Sequence, residues 1–189
     1  ISFHTPLTCS GAYPTFRMVQ KTFLQKQKKN CILLNAGRGE VFDFSELKEY
    51  GSHLNFCLDV WEHEPHIDAD MLRQVLIATP HIAGYSLQSK YRGIEMIYRA
   101  AVDAGFLKNQ AVLKVDYPVK KLSVAAASTW RDIVLEIFNP DDVNLEMKNN
   151  PKEFDELRKK CANRYEFGFV DLQDVNLSDA DVLLLKNIF

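Results

Sequence analysis

Four short apolar runs, separated by helix-forming segments, fix what the first half of this 189-residue chain can become. They are Ile1 to His4, Cys31 to Asn35, Leu54 to Val60 and Leu76 to Thr79. Between them lie Pro14 to Lys29, with Phe16, Val19, Phe23 and Leu24 toward one side, then Asp43 to Tyr50, then a short amphipathic interval after Pro65. Strands joined by helices at these spacings predict a parallel sheet with right-handed crossovers. Cys31-Ile32-Leu33-Leu34-Asn35 is continuously apolar, the pattern of a strand covered on both faces. Asp43-Phe44-Ser45-Glu46 has capping-box spacing and opens a helix that Gly51 closes. A sheet of this kind gathers its chemistry at the strand ends, which here means Thr5, Arg38, Asp59 and His81.

Downstream, Leu87, Tyr91, Ile94, Tyr98, Ala101 and Gly105 recur at three- and four-residue steps. They predict one long amphipathic helix with Lys90, Glu95, Arg99 and Asp103 outward. The character changes after about Lys108, where Val112 to Val119 reads as an exposed strand or linker. Ser128 is the expected cap of a helix through Trp130, Ile133, Val134, Ile137 and Phe138, which Pro140 ends. Asn150-Pro151-Lys152-Glu153 is a second capping box, followed by the stripe Phe154, Leu157 and Cys161. Phe167 to Val170 reads as a strand, and Ser178 starts a last helix. The expected division is therefore residues 1–85, a connecting helix over 86–108, and a small α+β module over 109–189.

A formal net charge of -2 gives no global attraction to nucleic acid or to an anionic membrane. The local cluster Lys21, Lys26, Lys28 and Lys29 reads as a solvated face. None of the four cysteines forms a C-x-x-C pair, and Cys31 and Cys57 fall inside apolar runs, which favours a reducing compartment. No apolar run approaches the ~18 residues of a membrane span, and no signal peptide opens the chain, so a cytoplasmic location is expected. The chain begins at Ile1 inside an apolar strand and reads as the C-terminal portion of something longer.

The chemistry-bearing residues cluster between Asp59 and Tyr85. Asp59-Val60-Trp61-Glu62-His63-Glu64-Pro65 and Thr79-Pro80-His81-Ile82-Ala83-Gly84-Tyr85 each follow an apolar run. Glu64 beside His81 would orient the imidazole and fix its tautomer, although a histidine after an apolar strand also serves as a hydrogen-bonded core residue. Arg38, between two glycines, suits bidentate recognition of a carboxylate, or is a surface-loop arginine. His63-Glu64-Pro65-His66 is no zinc motif, because proline breaks the helical face that H-E-x-x-H needs. His4, His53, His63 and His66 read as structural or solvated.

Asn35-Ala36-Gly37-Arg38-Gly39, Asp59 to Pro65 and Thr79 to Gly84 resemble, in order and spacing, three signatures of the D-isomer-specific 2-hydroxyacid dehydrogenases. A narrower likeness covers Phe3 to Leu7, Gly84 to Leu87, Lys90 to Gly93 and Glu153 to Lys159. It points to the branch of pyridoxal phosphate (vitamin B6) synthesis that oxidises 4-phospho-D-erythronate at C2. The resemblance implies the C-terminal half of a Rossmann-type NAD-binding domain over 1–85 and a dimerisation domain, hence a homodimer, over 109–189. It implies Arg38, Glu64 and His81 as catalytic, Thr5, Asp59 and Gly84 at the NAD cofactor, and Tyr85 at the substrate. Lys90 and Arg92 are candidates for attracting a substrate phosphate. The G-x-G-x-x-G turn of a dinucleotide site does not occur in these 189 residues and is expected upstream of Ile1, so NAD binding by this chain alone is not expected. Rival readings are another D-2-hydroxyacid dehydrogenase, of phosphoglycerate or glyoxylate type, and a non-catalytic interaction module of the same family.

Overall fold

Strands β1 (Ser2–Phe3), β2 (Ile32–Asn35), β3 (Asn55–Leu58) and β4 (Ile77–Ala78) lie in sequential order in one sheet, every pair parallel. In register, Ser2 pairs with Leu34, Leu34 with Cys57 and Cys57 with Ile77. The computed structural model describes residues 1–108, 116–123, 129–173 and 177–188. Its α/β architecture is the one expected. The chain forms two units, Ile1–Ala83 with Pro140–Lys160, and Gly84–Asn139 with Cys161–Phe189.

In the first unit the crossovers are α1 (Lys21–Leu24), α2 (Phe44–Tyr50) and α3 (Ala69–Gln74). Asp43 caps α2 by accepting from the amides of Ser45 and Glu46 at 3.1 and 3.2 Å. Glu46, the expected return partner, instead accepts from the Lys21 amide. The helix expected over 14–29 shrinks to α1, because Val19 pairs with Phe42 in a parallel bridge and Arg17 donates its amide to Glu40 O at 2.8 Å. Backbone amides used in extended pairing are lost to a helix. Phe3, Leu33, Phe42, Leu47, Phe56 and Trp61 fill the core. Among the described residues one face of β2 is covered: Leu33 is fully buried while Ile32 and Leu34 are 50% and 37% exposed, so the expectation of cover on both faces is corrected.

Helices α6 (Pro140–Asn149) and α7 (Phe154–Lys160) belong to this unit. Met147, Phe154 and Leu157 enter the same core. Asn144 Oδ1 accepts from the Ala78 amide at 2.9 Å, and Lys148 Nζ donates to Val75 O at 2.7 Å. The capping box expected at Asn150 is not made; a 3-10 turn over Pro151–Glu153 leads into α7 without a side-chain cap.

In the second unit, α4 (Leu87–Asp103) starts at a reciprocal Ser86–Ser89 capping box. Its apolar stripe stays open, with Ile94 and Ile97 64% and 74% exposed, and the residue it buries is Gln88. The Gln88 amide explains this: Nε2 donates to Pro118 O at 2.8 Å and Oε1 accepts from Glu166 N at 3.0 Å. Strand β5 (Lys120–Ser123) pairs in parallel with β6 (Val170–Gln173), and Phe167–Phe169, expected as strand, is a 3-10 turn. Thr129 caps α5 (Trp130–Ile137), where Ser128, the expected cap, lies outside the described residues, as does the first half of the strand or linker expected over 112–119. Ser178 precedes α8 (Asp179–Ile188) and accepts from Asp181 N at 3.2 Å. Among the described residues no helix is long and apolar enough to cross a membrane.

Candidate active site

Beyond β3 the chain reaches Asp59, whose buried carboxylate organises the next strand's exit. One oxygen accepts from Thr79 Oγ1 at 2.6 Å and Ile82 N at 2.8 Å, and the other from Ala83 N at 2.9 Å. The His81 amide donates to Asp59 O at 2.7 Å, and Trp61 Nε1 donates to Thr79 O at 3.0 Å. This net holds His81 at φ +54, a left-handed conformation that costs a non-glycine residue about 1 kcal/mol or more. His63, at φ +61, is in the same region of backbone space. Strain of this kind persists only where surrounding bonds over-determine it.

The pose serves a pairing. His81 Nδ1 lies 2.7 Å from Glu64 Oε2, both side chains half-buried, and Glu64 Oε1 accepts from the Trp61 amide at 2.8 Å. Glu64 is thus anchored at one oxygen and free to orient the imidazole with the other. Glu62, the other carboxylate of that segment, pairs with Arg17 at 3.7 Å. Burial pushes the Glu62 carboxyl above its ordinary range, against the lowering pull of Arg17.

Arg38 reaches the same place from β2. Asn35, fully buried, donates from Nδ2 to Arg38 O at 2.9 Å and accepts from Gly37 N at 3.0 Å, which shapes the turn. Gly39 lies so close to the next loop that a Cβ there would sit 2.1 Å from Trp61 O. Arg38, exposed, bonds the Gly37 carbonyl at 2.8 Å with one guanidinium nitrogen. Arg38, Gly39, Glu40, Trp61, His63, Glu64 and His81 line a cleft of about 270 Å³. Three residues expected to act together, Arg38, Glu64 and His81, therefore meet in one cavity.

Asp59 has both carboxylate oxygens engaged by the loop. Gly84 and Tyr85 belong to the second unit, where Lys90 Nζ lies 4.7 Å over the Tyr85 ring and Arg92 pairs with Glu166 at 3.3 Å. Sequence reasoning missed Asn35, Gly39 and Trp61 as shaping residues. The paired glycines around Arg38 were the available signal for Gly39.

Residues 1–83 match the family described as D-isomer specific 2-hydroxyacid dehydrogenase, NAD binding domain. Curated relatives extend the likeness: an erythronate-4-phosphate dehydrogenase of Coxiella burnetii is 36% identical over 91% of this chain and 49% of its own length. One from Teredinibacter turnerae is 40% identical over 94% of this chain and 52% of its own. The chain spans about half the length of the curated relatives it matches. A solved D-lactate dehydrogenase with NAD+ from Lactobacillus jensenii is 27% identical over 60% of this chain and 39% of its own, with a TM-score of 0.46.

The matched family is described as binding NAD, and one strand end offers a polar group to such a ligand. Thr5 Oγ1, just past β1, is buried without a hydrogen-bond partner among the described residues. A buried hydroxyl left unpaired costs about 1–3 kcal/mol, which a ligand's polar atom would recover. Gly37 keeps the adjacent backbone close, since a Cβ there would lie 3.0 Å from Thr5 O.

Proposed function

We propose that this chain carries the acid–base and carboxylate-binding residues of an NAD-dependent dehydrogenase that oxidises 4-phospho-D-erythronate at C2. The observation that carries the reading is the His81–Glu64 pair at 2.7 Å, opening on a cleft that Arg38 also lines. With Nδ1 engaged by Glu64, Nε2 of the neutral ring is the nitrogen available to accept the C2 hydroxyl proton. Glu64 then faces the resulting imidazolium and stabilises it. Arg38 holds the substrate carboxylate, a positioning effect that supplies several kcal/mol of barrier reduction in favourable cases. NAD, when bound, supplies the hydride acceptor. Thr5 is assigned to the cofactor side on the strength of its orphaned hydroxyl, and Asp59 contributes by fixing the loop that carries His81. Gly84 at the cofactor, Tyr85 at the substrate, Lys90 and Arg92 at its phosphate, a homodimer formed through residues 109–189 and a cytoplasmic location follow from resemblance.

The substrate assignment rests on the likeness to erythronate-4-phosphate dehydrogenases over about nine-tenths of the chain. His81→Asn in the full-length protein is expected to lower kcat by about 10²–10⁴-fold while NAD binding persists. Normal turnover in that variant removes His81 from the chemistry. Assaying 3-phosphoglycerate and a glyoxylate-derived hydroxy acid alongside tests the substrate, since faster turnover of either would move the assignment elsewhere in the family.

A further inference from the structure

The aim of the His81 ring depends on a strained backbone, so whatever grips that backbone sets the ring. Three grips come from Asp59: its carbonyl on His81 N, and its carboxylate on Ile82 N and Ala83 N. A fourth comes from a helix 77 residues along the chain. Arg158 Nε donates to the His81 carbonyl at 3.0 Å. A guanidinium donor makes a charge-assisted bond, stronger than one between neutral groups.

Arg158 does not reach His81 by chance of a flexible side chain. It sits on α7 next to Leu157, which is buried in the core with Phe154 and Met147. The preceding helix is tied to the strand that leads to His81 by Asn144 on Ala78 N and by Lys148 on Val75 O. Asn144, Lys148 and Arg158 thus follow the main chain from residue 75 to residue 81 and bond it at three places. Each bond goes to a backbone atom, so the contact fixes geometry and not side-chain chemistry.

We infer that Arg158 is a positioning residue for His81, and that the Pro140–Lys160 segment is a brace of the active site. The inference rests on the reading of His81 as proton acceptor. Arg158 acts by holding the His81 carbonyl, and through it the direction of the ring toward Glu64 and the cleft. Losing that bond removes one of the two grips on the peptide that follows a left-handed residue, leaving Asp59 on Ile82 N to hold it alone. Displacements of this order at a reacting group lower rates by up to about a hundredfold.

The test uses Arg158→Met, which keeps the packed stem and removes the donors, and Arg158→Ala with and without methylguanidinium. In the full-length protein the Met variant is expected to lose roughly ten- to a hundredfold in kcat with KM for the hydroxy acid little changed. Independently of turnover, nitrogen-15 histidine spectra should show the His81 ring signals displaced, including the Nδ1 proton shared with Glu64. Methylguanidinium should restore both kcat and the spectrum of the Ala variant. Ring signals that superimpose on wild type in Arg158→Met overturn the inference. Should that variant fail to fold, Arg158→Ala without methylguanidinium must show the displacement in the same signals, and none would overturn it equally. Normal turnover in His81→Asn removes the catalytic reading, whereas the His81 spectra judge the brace on their own.

Discussion

Gly39 offers the sharpest check on how the two loops of the cleft are fitted together. An added methyl would stand 2.1 Å from Trp61 O, 2.3 Å from Trp61 C and 2.9 Å from Glu62 N. Carbon contacts are comfortable near 3.5 Å, so the loops must part by about 1 Å or more. The obstacle is main chain on both sides, and neither a rotamer change nor a flexible tip can absorb it. Overpacking of this sort costs about 1–3 kcal/mol. Parting the loops also pulls the Trp61 amide from Glu64, and a half-buried donor left unpaired adds about 1–3 kcal/mol. Gly39→Ala should therefore destabilise by about 2–6 kcal/mol, a large share of the 5–15 kcal/mol typical of a domain. The measurement is a urea titration followed by Trp61 fluorescence in a Trp130→Phe background, so that only the first unit reports. Gly37→Ala is the internal comparison: its methyl would meet Thr5 O at 3.0 Å, a squeeze of a few tenths of an ångström, for about 1 kcal/mol or less. A Gly39→Ala protein within about 0.5 kcal/mol of wild type, or no worse than Gly37→Ala, would refute the close-approach argument.

Two other changes test the electrostatics of the same unit. Asp59→Asn must turn an amide donor toward at least one of the three donors now held by the carboxylate, and should cost about 1.5–3 kcal/mol with faster amide exchange at Ile82 and Ala83; unchanged exchange there would deny Asp59 its part in holding the loop. At Asp68 the Lys48 ammonium, reinforced by the capped amides of Met71 and Asp70 and opposed by partial burial, holds the carboxyl below its ordinary value. A lowered folded-state value means the stabilisation is present above the ordinary carboxylate range and disappears as pH falls through the folded value. Asp68→Asn should then cost less than about 1 kcal/mol near neutrality and nothing in strong acid, and a gap that persists there in urea titrations would contradict the assignment.

What the sequence made legible follows from the range over which each signal acts. The four strands and the residues at their ends could be read locally, because apolar runs and their punctuation are local. Asp43 as the cap of α2 was readable for the same reason, while its partner was not: Glu46 turned to the Lys21 amide, a competitor 25 residues away. The helix over 14–29 failed where Val19 found Phe42, a non-local pairing that composition does not announce. Pro140 read correctly as a stop for α5, yet the ten residues that begin with it form α6 and join the first unit through Met147. At the site, Arg38, Glu64 and His81 were nameable from short motifs. Arg158 at His81 and the Trp61 amide at Glu64 depend on tertiary approach, and no periodicity encodes them.

The Asp59 net has a consequence for how this site can change over time. Of the bonds its carboxylate accepts, two are from main-chain amides, at Ile82 and Ala83, and one from the Thr79 hydroxyl. Those amides exist whatever side chains follow His81. The loop's shape is thus written at residue 59 and not in the loop itself. Position 83, which is exposed, can vary in size or polarity while the histidine keeps its address.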